Sequence, residues 1–425
     1  MFGLCCLTLR RLHVNKSVRL VHRKKHHIFS ENTLVLGIET SCDDTGCAIV
    51  NGVGNILGES LYSQNVRHLK YGGINPTIAH ELHRDNIAKA VNGALDTASI
   101  CMDSIDAIAV TVKPGLMNSL EVGVRYAKHL SRLHNKPLIP IHHMEAHALV
   151  ARMYHDIPFP FLALLISGGN SLLAAFRDVD DVLLLGDTLD NSPGEIMDKV
   201  ARRMKLRNIL EYSQVAGGRA IELAAKKADK PYMFEFPLPL VKLRDCSFSF
   251  SGLKDFVERK LKEKESEHRI IGDGIIPEIN NLCAGFLHGV AEHIAHRTER
   301  AVAFCEANKI IISNKSIVVA GGVACNDYIF NSIKVIGDKR GYQVYRPPPR
   351  VCTDNGVMIA WNGIEKLKLN KDCAMLNSDV INGYSRAGLP LAQGVMRMWD
   401  SSRLNASARN SGLRARRSTL AAMLE

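Results

Sequence analysis

The sequence predicts an α/β protein of two duplicated lobes with a cleft between them, and three observations carry that expectation. First, short apolar segments alternate with polar turns near the start: TLVLGIET (Thr33 to Thr40), the turn SCDDT, CAIVN, the Gly-bearing turn GVGN, then ILGESL. Second, the same order returns in FLALLISGGNSLLAAFRDVDDVLLLG, again strand, small polar turn, strand, acidic turn, strand. Third, SIVVAGGVACNDYIFNSI repeats the strand, Gly-bearing turn and helix of AIAVTVKPGLMNSLEVGVRYAKHL. Two such lobes bring the turns SCDDT and SGGN to face each other. The alternative is a single irregular α/β sheet whose similar units are coincidental.

This layout is that of the superfamily containing actin, the Hsp70 ATPase domain and sugar kinases, which hold a nucleotide between two lobes. It divides the chain into an N-terminal lobe over residues 31–150 and a C-terminal lobe over 151–400. A helical insertion is expected at about 187–264, where GGRAIELAAKKA and FSFSGLKDF each read as a turn or loop entering a helix. INNLCAGFLHGVAEHIAHRTERAVAFCEA, with apolar residues three and four apart, reads as a further packing helix.

The net charge of +11 sits at the two ends. Residues 1–30 carry seven Lys and Arg with no acid, and the tail after Asp400 carries five Arg against Glu425, so the chain between them balances to zero. A nucleic-acid surface on the core must therefore be local. The acid-free, Arg-bearing start with interspersed Leu, Val and Phe has the composition of a mitochondrial presequence. A solvated basic arm or a nuclear signal at RKKHH is the alternative, and the tail over 401–425 is expected to be disordered. Apolar runs such as FPFLALLI are far short of the roughly 20 residues of a membrane helix, so no membrane insertion is expected. Eleven cysteines without a C-x-x-C pair build no disulfide framework and fit a reducing interior, where most are small core residues.

HHMEAH, from His142 to His147, looks at first like a zinc protease signature. In the H-E-x-x-H arrangement the glutamate directly follows the first ligand. Here Met144 follows His143, and Glu145 falls on the far side of a helix from the pair His143 and His147. The protease loses its base, whereas the His pair, four apart on one face, can still hold a divalent ion. Asp354 in RPPPRVCTDNG is the best candidate for a third ligand, leaving coordination sites open to a substrate oxygen. An actin-like ATPase or small-molecule kinase would leave that set unexplained, and a non-catalytic scaffold would not need it.

SGGN (Ser167 to Asn170) and AGGVACN (Ala320 to Asn326) place paired glycines directly after apolar strands, where the backbone can approach a ligand and offer N–H groups to phosphate oxygens. PGEIMDKVARRM puts Glu195, Asp198 and Lys199 at a helix start, where an acid can accept from ribose hydroxyls or simply favour the helix dipole.

Taken in order, IETSCDDT, YGGINP, KPGLMNSLEVG, HMEAH, SGGN, GEIMDKVAR, GGRAIE, FSFSGLK, AGGVACN and CTDNGVMIA resemble the universal tRNA N6-adenosine threonylcarbamoyltransferase family, from about residue 33 to Trp399. The start of the chain is similar to that of its mitochondrial branch. The resemblance implies an actin-like fold and transfer of threonylcarbamoyl from threonylcarbamoyl-adenylate, an ATP-type nucleotide made by a separate synthase, to the adenosine N6 amine beside the tRNA anticodon. It implies His143, His147 and Asp354 as ligands of one divalent ion, zinc or iron. It further implies Leu165, Ile166, Ser167, Gly168, Gly169, Asp198, Gly218, Glu222 and Asn326 as the adenylate site, Asp43 and Asp44 as an acidic pair near the metal, and a homodimer in the mitochondrial matrix. An already activated mixed anhydride asks for polarisation, a held leaving group and a placed amine, without a serine or cysteine nucleophile. Lys113 or a carboxylate is then the candidate to influence proton transfer. The chain departs from the common pattern at Lys113, where many members have Gly, at Asn170, where most have His, and at Arg219, where many have Pro.

Overall fold

The computed structural model describes residues 29–369, apart from 70 and 72, so the expected presequence, all but its last two residues, and the tail lie outside the described residues. Among the described residues, ten strands form two five-stranded sheets. The first is built from β1 (Leu34–Glu39), β2 (Asp44–Asn51), β3 (Ile56–Ser63), β4 (Ala107–Lys113) and β5 (Leu138–His142), in the order β3-β2-β1-β4-β5. The second contains β6 (Phe161–Ile166), β7 (Ser171–Phe176), β8 (Val182–Asp187), β9 (Ser316–Ala320) and β10 (Gln343–Tyr345), in the order β10-β9-β6-β7-β8.

The two orders are one topology. In each sheet the first strand pairs antiparallel with the second, the second antiparallel with the third, and the first parallel with the fourth. The fifth runs parallel to the fourth at the other edge. The expected duplication into two α/β lobes is thus realised strand for strand. The central strands β1, β4 and β6 read as nearly continuous apolar runs because helices cover both faces.

Two helices set where a cleft can form. His143–Leu149 follows β5 directly and is buried almost throughout; its Ala146 packs with the first sheet while Met144, Ala148 and Leu149 pack with the second. The helix Gly356–Lys368, expected with the second lobe from its place in the chain, instead packs on the first sheet with Val35, Ala48, Ala109 and Ile139. Its approach explains Gly37: a Cβ there would lie 2.3 Å from the Gly356 carbonyl oxygen, so only glycine lets strand and helix meet.

The segment expected as a helical insertion supplies the helices Pro193–Arg203, Gly217–Ala225 and Ser251–Glu267. With the long helix Ile279–Ala307 they share one core with the second sheet. No helix among the described residues is long and apolar enough to cross a membrane.

Candidate functional site

Three expected ligands from distant parts of the chain converge. His143 and His147 lie one turn apart on the same helix face, and Asp354 enters from the loop before Gly356–Lys368. His147 Nε2 is 3.2 Å from His143 Nε2 and 3.2 Å from Asp354 Oδ1, and His143 Nε2 is 3.4 Å from the same oxygen. Two imidazole nitrogens and a carboxylate oxygen, all aimed at one point, are a donor set suited to a divalent ion. Burial opposes charge on Asp354, but the adjacent His143 and His147 outweigh it and hold the carboxyl well below the usual range. Burial likewise disfavours charge on His143, yet Asp354 and Glu39 together raise it to about 10, whereas burial lowers His147. A cation at this point is what the carboxylates favour. Glu145, as its spacing predicts, points elsewhere and pairs with Lys366 at 3.4 Å.

Glu39 is the site residue that motif reading missed. Fully buried at the end of β1, its Oε2 lies 3.2 Å from His143 Nδ1 and accepts from Thr111 Oγ1 at 2.5 Å, while Ser41 N donates to Oε1 at 2.5 Å. A carboxylate on Nδ1 keeps the proton there and leaves Nε2 for a metal. The available signal was an acid ending an otherwise apolar strand inside IETSCDDT.

The acidic turn faces this point. Burial first, then Asp354, raise Asp43 to about 6; burial and Asp43 raise Asp44 to about 7. Asp44 Oδ1 is buried and has no hydrogen-bond partner among the described residues. A second residue missed in the sequence anchors the turn: buried His83 lies 2.8 Å from Thr45 Oγ1 through Nδ1 and 3.1 Å from the Cys42 carbonyl through Nε2. Lys113 ends β4, opposite His142 on β5, and its charge acts on Glu145.

On the second lobe, Leu165 and Ile166 end β6, and Ser167 Oγ accepts from the amides of Gly169 and Asn170 at 3.3 and 3.1 Å. A Cβ built on Gly168 or Gly169 meets nothing within 4 Å, so both glycines border open space. Ser192 Oγ donates to the Gly168 carbonyl at 2.5 Å and accepts from Glu195 N, tying the turn to the start of Pro193–Arg203. Burial raises Asp198, which accepts from the Gly217 and Gly218 amides and so holds the start of the next helix. Glu222 is buried, with Oε2 bound by Arg219 at 2.7 Å and Oε1 3.6 Å from Lys226 Nζ, beyond hydrogen-bond range. Asn326 Oδ1 caps the helix Asp327–Arg340 by accepting from Ile329 N at 3.1 Å. Asp198 and Asn326 thus already serve local structure at the positions expected for the adenylate. The charge of Asp198, on the helix Pro193–Arg203, nevertheless reaches Asp43.

Fold and site together define a two-lobed α/β protein with a His–His–Asp ligand set and, after the first strand of its second sheet, an open glycine turn. Residues 55–361 match the family model described as tRNA N6-adenosine threonylcarbamoyltransferase. The chain is 47% identical over 357 residues to the zebrafish (Danio rerio) protein named as the mitochondrial form of that enzyme, covering 83% of this chain and 88% of that one. It is 46% identical to the human mitochondrial protein, over 79% of this chain and 81% of the other. It is also 39% identical to the Rickettsia bellii protein of the same name without that qualifier, over 78% and 93%. The chain therefore belongs to the tRNA N6-adenosine threonylcarbamoyltransferase family, and it is a transferase.

Proposed function

We propose that this protein transfers threonylcarbamoyl from threonylcarbamoyl-adenylate to the N6 amine of the adenosine adjacent to the anticodon in mitochondrial tRNAs. The observation that carries the mechanism is the convergence of His143, His147 and Asp354 next to an acidic turn, in a chain whose second lobe keeps open space at Gly168 and Gly169. His143, His147 and Asp354 would hold a divalent ion, zinc or iron, which would supply Lewis-acid polarisation of the carbamoyl group.

The rest falls to the chain's own groups. The side-chain-free space at Gly168 and Gly169 receives the AMP phosphate as it departs, with the Gly168 amide as a donor, in a turn whose Gly169 and Asn170 amides are held by Ser167 Oγ. Glu222 Oε1 offers an acceptor to a ribose hydroxyl, with Leu165, Ile166, Asp198, Gly218 and Asn326 shaping the pocket around the nucleoside. The N6 amine must lose a proton as its new bond forms. Asp44, raised to about 7 and with one oxygen unpartnered, is suited to take that proton near neutral pH. Asp43 beside it keeps its neighbour's affinity for a proton high, and Lys113 acts at longer range through Glu145.

The mitochondrial names of the relatives support action in the mitochondrion, and the acid-free start of the chain supports import to the matrix. The adenylate comes from a separate synthase, and the protein works as a homodimer. Purified protein supplied with threonylcarbamoyl-adenylate and unmodified tRNA should yield threonylcarbamoyladenosine by mass spectrometry. No product where the Rickettsia relative makes it would refute the assignment.

A further inference from the structure

Glu222 holds a buried acceptor in reserve. Its side chain is 3% exposed, and Oε1 has no hydrogen-bond partner among the described residues. Oε2 accepts from Arg219 Nη1 at 2.7 Å, one turn earlier on the same helix, Gly217–Ala225. Lys226, one turn later, lies 3.6 Å from Oε1, close enough to attract it and too far to hydrogen-bond. The first turn of this helix is itself pinned against Pro193–Arg203. A Cβ on Gly217 would lie 2.6 Å from Asp198 Oδ1, and one on Gly218 would lie 3.2 Å from Met197 Sδ.

The helix itself does not ask for this pair. Arg219 stands in its first turn, where a cation opposes the helix dipole, and a base placed before its acid is the less favourable order on one helix face. An ion pair in solvent would contribute little in any case. What sets this one apart is its acceptor, which is buried while the Arg219 side chain is half-exposed. A guanidinium bound to Oε2 stops the carboxylate from turning about its last bond, and so fixes where the lone pairs of Oε1 point.

We propose that Arg219 is a positioning residue for the nucleotide's ribose: it holds Glu222 by one oxygen so that the other, Oε1, receives a ribose hydroxyl. This rests on the nucleoside reading of the pocket given above. Arg219 touches no reacting atom, so its effect belongs to binding and to the choice of nucleotide. With the nucleotide seated, the ribose O–H donates to Oε1 and gives that buried oxygen the partner it lacks. Without the guanidinium the carboxylate is free to turn toward Lys226, which then takes the acceptor. A nucleotide lacking the hydroxyl leaves Oε1 buried and unpartnered, so the held carboxylate discriminates ribose from deoxyribose.

Titration calorimetry of the full-length protein with AMP, 2′-deoxy-AMP and 3′-deoxy-AMP tests this without requiring turnover. Wild type should bind AMP more tightly than at least one deoxy analogue by about tenfold to a hundredfold, the worth of a hydrogen bond to a charged acceptor. Arg219→Met should shrink that preference to about threefold or less, with its thermal midpoint within about two degrees of wild type. Arg219→Lys should restore part of the preference, since charge returns without the planar fork. Lys226→Met should keep it in full. In turnover, Arg219→Met should raise KM for threonylcarbamoyl-adenylate about tenfold with kcat unchanged. The proposal is overturned if wild type binds all three nucleotides equally, if Arg219→Met keeps the wild-type preference, or if Lys226→Met loses it to the same extent. If no condition yields product but Arg219→Met still abolishes the preference, the assigned reaction fails while the positioning role stands. Product formation with a preference indifferent to Arg219 does the reverse.

Discussion

The turn between β1 and β2 and the turn between β6 and β7 occupy the same place in two sheets of identical topology, yet they are chemical opposites. The first carries Asp43 and Asp44, both buried enough to be raised to about 6 and about 7. The second carries Gly168 and Gly169, with open space where side chains would stand. Duplication supplied the frame, and the two copies divided the labour: one turn holds acids against a ligand cluster, the other leaves open space in place of side chains. A metal or proton site needs side chains fixed by a surrounding shell, here Glu39 and His83, whereas an anion site needs side chains removed.

The largest effect should come from the ligands. His143→Ala with His147→Ala should lose bound metal, measured by elemental analysis, and cut turnover by at least about a thousandfold, as several kcal/mol of charge stabilisation disappear. Full activity in that variant would remove the metal from the mechanism. Asp44→Asn should retain metal and keep KM for the adenylate, but lower kcat by about a hundredfold, the scale of a lost general base. An unchanged kcat would reduce the acidic turn to a structural one.

How much of this division was legible in the sequence varies by feature. The succession of strands along the chain, the glycine turns, the His pair and Asp354 could be read because each leaves a local signature: apolar runs, Gly-Gly after a strand, a four-residue spacing, a turn after a proline run. Glu39 and His83 could not, because a buried polar residue on a strand or helix looks the same whether it supports a ligand or satisfies a neighbour. The return of Gly356–Lys368 to the first sheet was likewise hidden, since chain order carries no record of which core a terminal helix covers. Asp198 and Asn326 show the reverse difficulty: their motifs were visible, but their hydrogen bonds to local backbone were not.

The two lobes should also respond oppositely to pH. On the glycine side, buried His293 accepts from Ser249 N at 3.0 Å and burial lowers it to about 3, so it folds neutral. Its contribution is intact above its unfolded value of about 6.5 and is lost as pH falls toward 3. Asp44 has the opposite sign: its folded value of about 7 lies above the unfolded 3.8, so the native state gains stability as pH falls from 7 toward 4. In metal-stripped protein, wild type minus His293→Gln should lose about 2 kcal/mol between pH 7 and pH 5, and wild type minus Asp44→Asn should gain about 2 kcal/mol. Urea unfolding at the two pH values reads both differences, and slopes of the same sign would contradict the division.

The smallest effect separates glycines that serve the fold from those that serve a ligand. Gly321 has φ +96 and a Cβ there would lie 2.3 Å from the Ile166 carbonyl oxygen, so Gly321→Ala should destabilise the second lobe irrespective of substrate. Gly168 has neither constraint, and Gly168→Ala should leave the thermal midpoint within about a degree of wild type, as an unhindered surface change does. Its methyl group would instead enter the space offered to the adenylate, raising KM by about tenfold, or about 1.4 kcal/mol, with little change in kcat. An unchanged KM would mean that the leaving phosphate binds elsewhere and that the openness of the turn has no bearing on the reaction.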